Sequence, residues 1–211
     1  MSTAFAETRT IFESPPARYL DLDSNGMRMS RREFVSVEDC DKRYRYELIH
    51  GVVVVSPPPL EGERGPNGRL DQWLWNYHDR HPLGNALDGT LFEQEIDTGV
   101  CIRRADRVIW AGLGRQPHPK KDIPAIVIEF VSKARRDRRR DYQEKRQEYA
   151  AIGVKEYWII DRFRRTMTVC RGNRRSRVVR ENETYTTDLL PGFELPLAGL
   201  LEIADQWSKT E

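Results

Sequence analysis

The stretch AIVIEFV, residues 125–131, constrains the fold of this chain more than any other. It is short, nearly continuously apolar and rich in β-branched residues, the pattern of a strand covered on both faces and therefore central in its sheet. Its one interruption is Glu129. An ionised carboxylate is costly to take out of water unless it is paired or bound to metal, so such a strand demands a partner for Glu129.

The surrounding pattern supplies layers for that strand. Residues 44–48 and 52–55 read as strands, the second stopped by Ser56 and Pro57 to Pro59. Asn67 suits the N-cap of a helix in which Leu70, Trp73, Leu74 and Tyr77 recur on one face before Pro82 and Gly84. Residues 89–96 and 100–110 read as strands joined by a turn at 97–99, followed by a Gly- and Pro-rich loop over 112–124. A helix is expected over 137–152, closed by Gly153, then a strand over 156–160 and a hairpin of 165–171 with 176–180. Strands and helices in this mixed order predict an α/β fold with a mixed sheet flanked by helices. A length of 211 residues suits one domain. Residues 1–40 lack sustained periodicity apart from a helix start in 31–39, so they read as a partly ordered N-terminal extension to a domain spanning 41–211.

Net charge is only +2, but its distribution is uneven. Residues 131–146 hold eight Lys or Arg against three acids, and residues 162–180 hold eight Arg and no acid. A polyanion is the natural partner for such a field. The cysteines Cys40, Cys101 and Cys170 are far apart and odd in number, which argues against a disulfide framework or a zinc knuckle. No stretch approaches the roughly 20 apolar residues needed to span a bilayer, and no apolar core follows the N-terminus, so the expectation is a cytoplasmic protein.

Asp106, in another strand-like segment, is the second acid of interest. Two carboxylates on neighbouring strands can hold one hard divalent cation such as Mg2+ or Mn2+, which could activate water at a phosphodiester. The stretches YELIHGVVVVSPPP, RRADRVIW, IPAIVIEFVSKARRDRRRDYQEKRQEYAAIGVKEYWIID and LLPGFELPL stand in an order and spacing that resemble the Uma-two family, over roughly residues 44 to 200. That family is similar to the PD-(D/E)XK nucleases. The resemblance implies a restriction-endonuclease-like core, metal-dependent DNA cleavage, and acids at Glu47, Asp106 and Glu129, with Asp106 and Glu129 as metal ligands. The lysine usual in that superfamily, two residues beyond the second acid, is replaced by Val131. The resemblance suggests a migrated lysine, with Lys145 the candidate and Lys133 the weaker one, to orient or deprotonate the attacking water. Ala105 stands where Pro is usual, His50 where Asp is common and Asn67 where His is often seen.

Beside such a site, Arg135, Arg136, Arg138, Arg139 and Arg140 would grip DNA phosphates without reading sequence. Nucleases of this fold often act as dimers, so a homodimer is a further expectation. Plainer readings stand beside these. Asp106 could pair with Arg103 or Arg104, Glu129 with an arginine of the following helix, and Lys145 could form an i,i+4 pair with Asp141 or have Tyr149 packed over its stem. His50 and Val131 keep open a nuclease-fold protein with weak or no chemistry, acting as a nucleic-acid-binding or interaction module.

Overall fold

The strand read from AIVIEFV lies inside an eight-stranded sheet of the computed structural model, which describes residues 19–132 and 140–208. In chain order the elements begin with β1 (Tyr19–Leu20), α1 (Arg31–Val35), β2 (Asp39–Cys40), β3 (Arg45–Ile49), β4 (Val52–Ser56) and α2 (Glu61–Arg80). Next come β5 (Leu87–Asp97), β6 (Cys101–Ala111), β7 (Ile126–Phe130), a π-helical turn (Arg140–Glu144) and α3 (Lys145–Ile152). The chain continues through β8 (Glu156–Asp161), β9 (Thr166–Arg171), β10 (Arg175–Arg180), β11 (Thr184–Thr187), β12 (Leu190–Pro196) and α4 (Leu197–Ser208).

The main sheet runs β10-β9-β8-β7-β6-β3-β4, with β5 paired along β6. Only β7 and β8 are parallel within it; their connection passes through α3. This is the expected mixed α/β sheet with helices on its faces. Alternation along β7 sorts the core. Ile126, Ile128 and Phe130 join Leu70, Leu74, Leu200 and Leu201 on the side of α2 and α4, whereas Val127 and Val131 join Tyr149 of α3. Each fully buried side chain of this kind contributes about 1.5–3 kcal/mol. Glu129, between Val127 and Val131, is thereby directed to the α3 face. A third cluster packs Leu20, Met29 and Phe34 against Tyr46, Leu48 and Val53.

Three boundaries differ from the sequence reading. α2 begins at Glu61, not beyond Asn67, and carries Pro66 inside it. Gly62, Gly65 and Pro66 are poor helix formers, but tertiary packing overrides the weak local preference. A Cβ on Gly65 would collide with the Trp207 ring, so glycine there lets α4 lie close against α2. The helix expected over 137–152 is a π-helical turn followed by α3, with residues 137–139 outside the described residues. Its end is as expected, Gly153 being left-handed with φ 98. Finally, β11, β12 and α4 had no counterpart in the reading, which assigned no element beyond residue 180.

Candidate active site

The sheet forks along β6. One edge of this strand pairs with β5 for almost its whole length. The other edge pairs first with β3, through Ile102 and Cys101, and then with β7, from Arg107 to Ile109. Residues 103–106 span the gap, where backbone donors need other acceptors. Two acids supply them. The Glu47 carboxylate accepts the Arg104 N–H at 3.0 Å, and the Asp106 carboxylate accepts the Phe130 N–H at 2.7 Å.

At the fork β6 also changes phase. Arg103 and Arg107 would share a face in a regular strand. Instead Arg103 reaches Glu148 of α3, while Arg107 reaches Asn67 and Asp71 of α2. Opposite the break, Glu93 of β5 takes a φ of 53, uncommon for a residue with a side chain.

On the α3 side, Lys145 is the centre of a buried charge cluster. Its Nζ lies 2.8 Å from Glu129 Oε1, 3.4 Å from Asp141 Oδ1 and 4.0 Å from Glu47 Oε1. The Tyr149 hydroxyl donates to Glu129 Oε1 at 3.2 Å. Glu47, Glu129, Asp141 and Lys145 are all buried. Burial raises the Glu129 carboxyl above its ordinary range; Lys145 opposes the shift, and Asp106 and Asp141 reinforce it. Lys145, the residue expected to stand in for a lysine at the strand position held by Val131, thus lies beside Glu129 on the next helix.

Asp106 has a different cation from those expected. Arg45 of β3 bonds its Oδ1 at 2.6 Å and also bonds Glu93. Arg103 and Arg104 instead pair with Glu148 and Glu95. Asn67 holds this strand from α2, donating to the Asp106 carbonyl at 3.0 Å and accepting from Arg107 Nε at 2.6 Å. Glu63, one helical turn earlier, is also buried; burial, then the nearby Asp106, pushes its carboxyl up to about 7. Arg45, Glu63 and Asn67 were not identified as site residues in the sequence. Alternation could have found Arg45, which shares a face of β3 with Glu47. Glu63 and Asn67 depend on where α2 starts.

A cleft of about 530 Å3 opens beside Asp106 and is lined by Lys42, Arg45, Arg64, Arg104 and Phe130 among others. Glu129 and Lys145 are not in its lining; they lie beyond it on the α3 side. Of the expected phosphate-gripping arginines, Arg135, Arg136, Arg138 and Arg139 lie outside the described residues, as does Lys133. Arg140 begins the π-helical turn, its side chain likewise outside them.

Among the described residues, five acids, Glu47, Glu93, Asp106, Glu129 and Asp141, stand around Arg45 and Lys145. An all-carboxylate set that outnumbers the described cations beside it fits a hard cation such as Mg2+, which keeps several waters and takes only one or two protein carboxylates. It does not form a closed cage. Among the described residues, the one group of at least three potential ligand atoms within 4.8 Å of one another is His50, Cys101 and Glu148, in another place.

A mixed sheet flanked by helices is a fold this chain shares with a solved structure. The crystal structure of "a putative nuclease belonging to DUF820" from Anabaena variabilis superposes with a TM-score of 0.66 at 14% identity, over 82% of this chain and 97% of that one. No curated protein matches the chain. The model of the family Uma2, described as "Putative restriction endonuclease", matches residues 32–198. The chain belongs to the Uma2 family. No described helix is long and apolar enough to cross a membrane.

Proposed function

We propose that this chain is a divalent-metal-dependent endonuclease that hydrolyses DNA phosphodiester bonds, with Glu47, Asp106 and Glu129 as the acids of a PD-(D/E)XK centre and Lys145 as its lysine. The observation that carries the reading is the 2.8 Å contact of Lys145 Nζ with Glu129, which puts an ammonium beside the second acid although the strand position is Val131. Asp106 and Glu129 would hold Mg2+ or Mn2+, which when bound makes a water more acidic and neutralises charge on the scissile phosphate. Lys145 orients the attacking water and offers its ammonium to the charge that develops on phosphorus oxygens. Glu47 holds Lys145 and β6 in place, bonding the Arg104 N–H at 3.0 Å. Lys42, Arg64 and Arg104 along the cleft, with Arg135, Arg136, Arg138, Arg139 and Arg140, hold the DNA backbone by charge. The protein acts in the cytoplasm, and a homodimer would supply one centre for each strand.

One observation favours a second reading, a nucleic-acid-binding module without chemistry: the 2.6 Å pair of Arg45 with Asp106, which places a guanidinium on a would-be metal ligand. Supercoiled plasmid incubated with and without Mg2+ or Mn2+ separates the two. The expected result is nicking that requires metal and falls at least ~100-fold in both Asp106→Asn and Glu129→Gln. Nicking indifferent to either substitution overturns the assignment. Binding without cleavage, weakening steeply with salt, establishes the second reading.

A further inference from the structure

The residue that departs from the family pattern in the β3–β4 turn has its own chemistry. His50 and Gly51 form the two-residue connection, with φ of 49 and 77. That conformation is one that His, with Asn and Asp, tolerates better than most side chains. It brings His50 Nδ1 to 3.9 Å from Cys101 Sγ, the first residue of β6. Cys101 Sγ also lies 3.6 Å from Glu148 Oε1 on α3. All three potential ligand atoms lie within 4.8 Å of one another.

We propose that His50, Cys101 and Glu148 form a second metal site, selective for a borderline-soft transition ion, with Zn2+ its ligand and a water completing the tetrahedron. The spacing supports this directly. With Zn–N near 2.0 Å and Zn–S near 2.3 Å, two ligands of a tetrahedral ion are about 3.5 Å apart, close to the separations that Cys101 already keeps from the other two. The donor set, one nitrogen, one sulfur and one oxygen, suits Zn2+ and disfavours Mg2+, so this site and the all-carboxylate centre would not compete for the same ion. His50 is exposed and gives the ion a way in, while Cys101 is buried.

Glu148 is also held as a ligand needs to be. Arg103, fully buried, donates to both its oxygens at 2.8 and 2.6 Å, and Thr98 Oγ1 lies 3.4 Å from Oε2. A carboxylate has about four lone-pair sites, so these bonds fix its orientation and leave room for a metal. Binding converts the Cys101 thiol to a metal thiolate and releases its proton to solvent, with neutral His50 ligating through Nδ1. The ligands come from the three elements that carry Glu47, Asp106 and Lys145: the turn after β3, the start of β6, and the middle of α3. An ion here staples those elements to one another. The inference stands on this geometry and is independent of the hydrolytic reading.

Titration of the metal-stripped full chain with Co2+, in excess Mg2+ and a thiol-free reductant, tests it. The expected result is one tight equivalent with a thiolate-to-cobalt charge-transfer absorption, displaced by Zn2+ and accompanied by a rise in Tm. Cys101→Ser removes the absorption, Cys40→Ser leaves it, and His50→Asn weakens binding at least ~10-fold. Asn keeps the left-handed turn, so His50→Asn decides the matter even if Cys101→Ser fails to fold. Absence of the thiolate absorption in the parent, its survival in folded Cys101→Ser, or undiminished affinity in His50→Asn overturns the site.

Discussion

Two buried glutamates sit on the parallel pair at the middle of the sheet, Glu129 on β7 and Glu156 on β8, and their surroundings differ in kind. Glu156 has four donors: Trp158 Nε1 at 2.8 Å, Tyr185 OH and Arg171 Nε at 2.9 Å, and Thr187 Oγ1 at 3.0 Å. Three of these are neutral. Glu129 meets an ammonium and one hydroxyl, with Asp106 and Asp141 adding like charge nearby. Burial of an acid is therefore no signature of a site by itself. What sets Glu129 apart, among the described residues, is an excess of acids over cations, because that charge arrangement is stabilised further by a bound cation and a saturated one is not.

The contrast breaks most easily in activity. Glu129→Gln lowers metal-dependent plasmid nicking at least ~100-fold, while folded Glu156→Gln nicks at the parent rate. Stability should move the other way. Gln at 129 leaves Lys145 with Asp141 and Glu47, so urea denaturation changes by no more than about 1 kcal/mol. Gln at 156 cannot accept from all four donors and costs about 2–3 kcal/mol. Equal effects of the two substitutions on both measurements would erase the distinction.

The cations sharpen it next. Lys145 has a side chain only 3% exposed, whereas that of Arg171 is 55% exposed. Lys145→Met strands buried carboxylates and destabilises by about 3–5 kcal/mol in chemical denaturation. Arg171→Met, whose guanidinium already faces water, costs under about 1 kcal/mol. A similar loss in both would mean that the two glutamates are held alike.

Much of this was legible in advance, and for definable reasons. β7 was visible because burial on both faces leaves a continuous apolar run, and Glu129 because it breaks that run. Lys145 could be placed because the resemblance asked for a lysine beside a strand that offers Val131. What could not be read depends on contacts distant in sequence. Arg45 meets Asp106 only because β3 and β7 share one edge of β6, and no local pattern encodes a fork. The start of α2 was misplaced because Gly65 and Pro66 oppose a helix locally, while the close approach of Trp207 favours one. With that start went Glu63 and Asn67, both facing the Asp106 strand.

Glu63 carries the excess of acid onto the other face and gives it a pH signature. Its folded-state carboxyl, raised to about 7 from 4.5 by burial and then by Asp106, favours the protonated form. The stability it contributes is fully present below 4.5 and is lost as pH rises through about 7. Glu63→Gln, which keeps an acceptor for the Leu60 N–H, removes that loss. In chelator, its stability advantage over the parent should grow by roughly 2 kcal/mol between mildly acid and mildly alkaline pH. An advantage that is constant with pH would mean that Glu63 is not part of the acidic excess.

The smallest effect compares one hydroxyl on each glutamate. Thr187→Val removes the 3.0 Å bond to Glu156, and Tyr149→Phe the 3.2 Å bond to Glu129. Each should cost about 1 kcal/mol, the ordinary worth of such a bond, so stability alone will not separate them. The pH–rate profile will. A hydroxyl that donates to a carboxylate stabilises its charged form, so losing it raises the Glu129 carboxyl further and moves the acid limb of the profile to higher pH in Tyr149→Phe. Thr187→Val leaves that limb in place, because Glu156 takes no part in the chemistry. An unmoved limb in Tyr149→Phe would instead make Glu129 a structural acid like Glu156, and the excess charge around it would need another purpose.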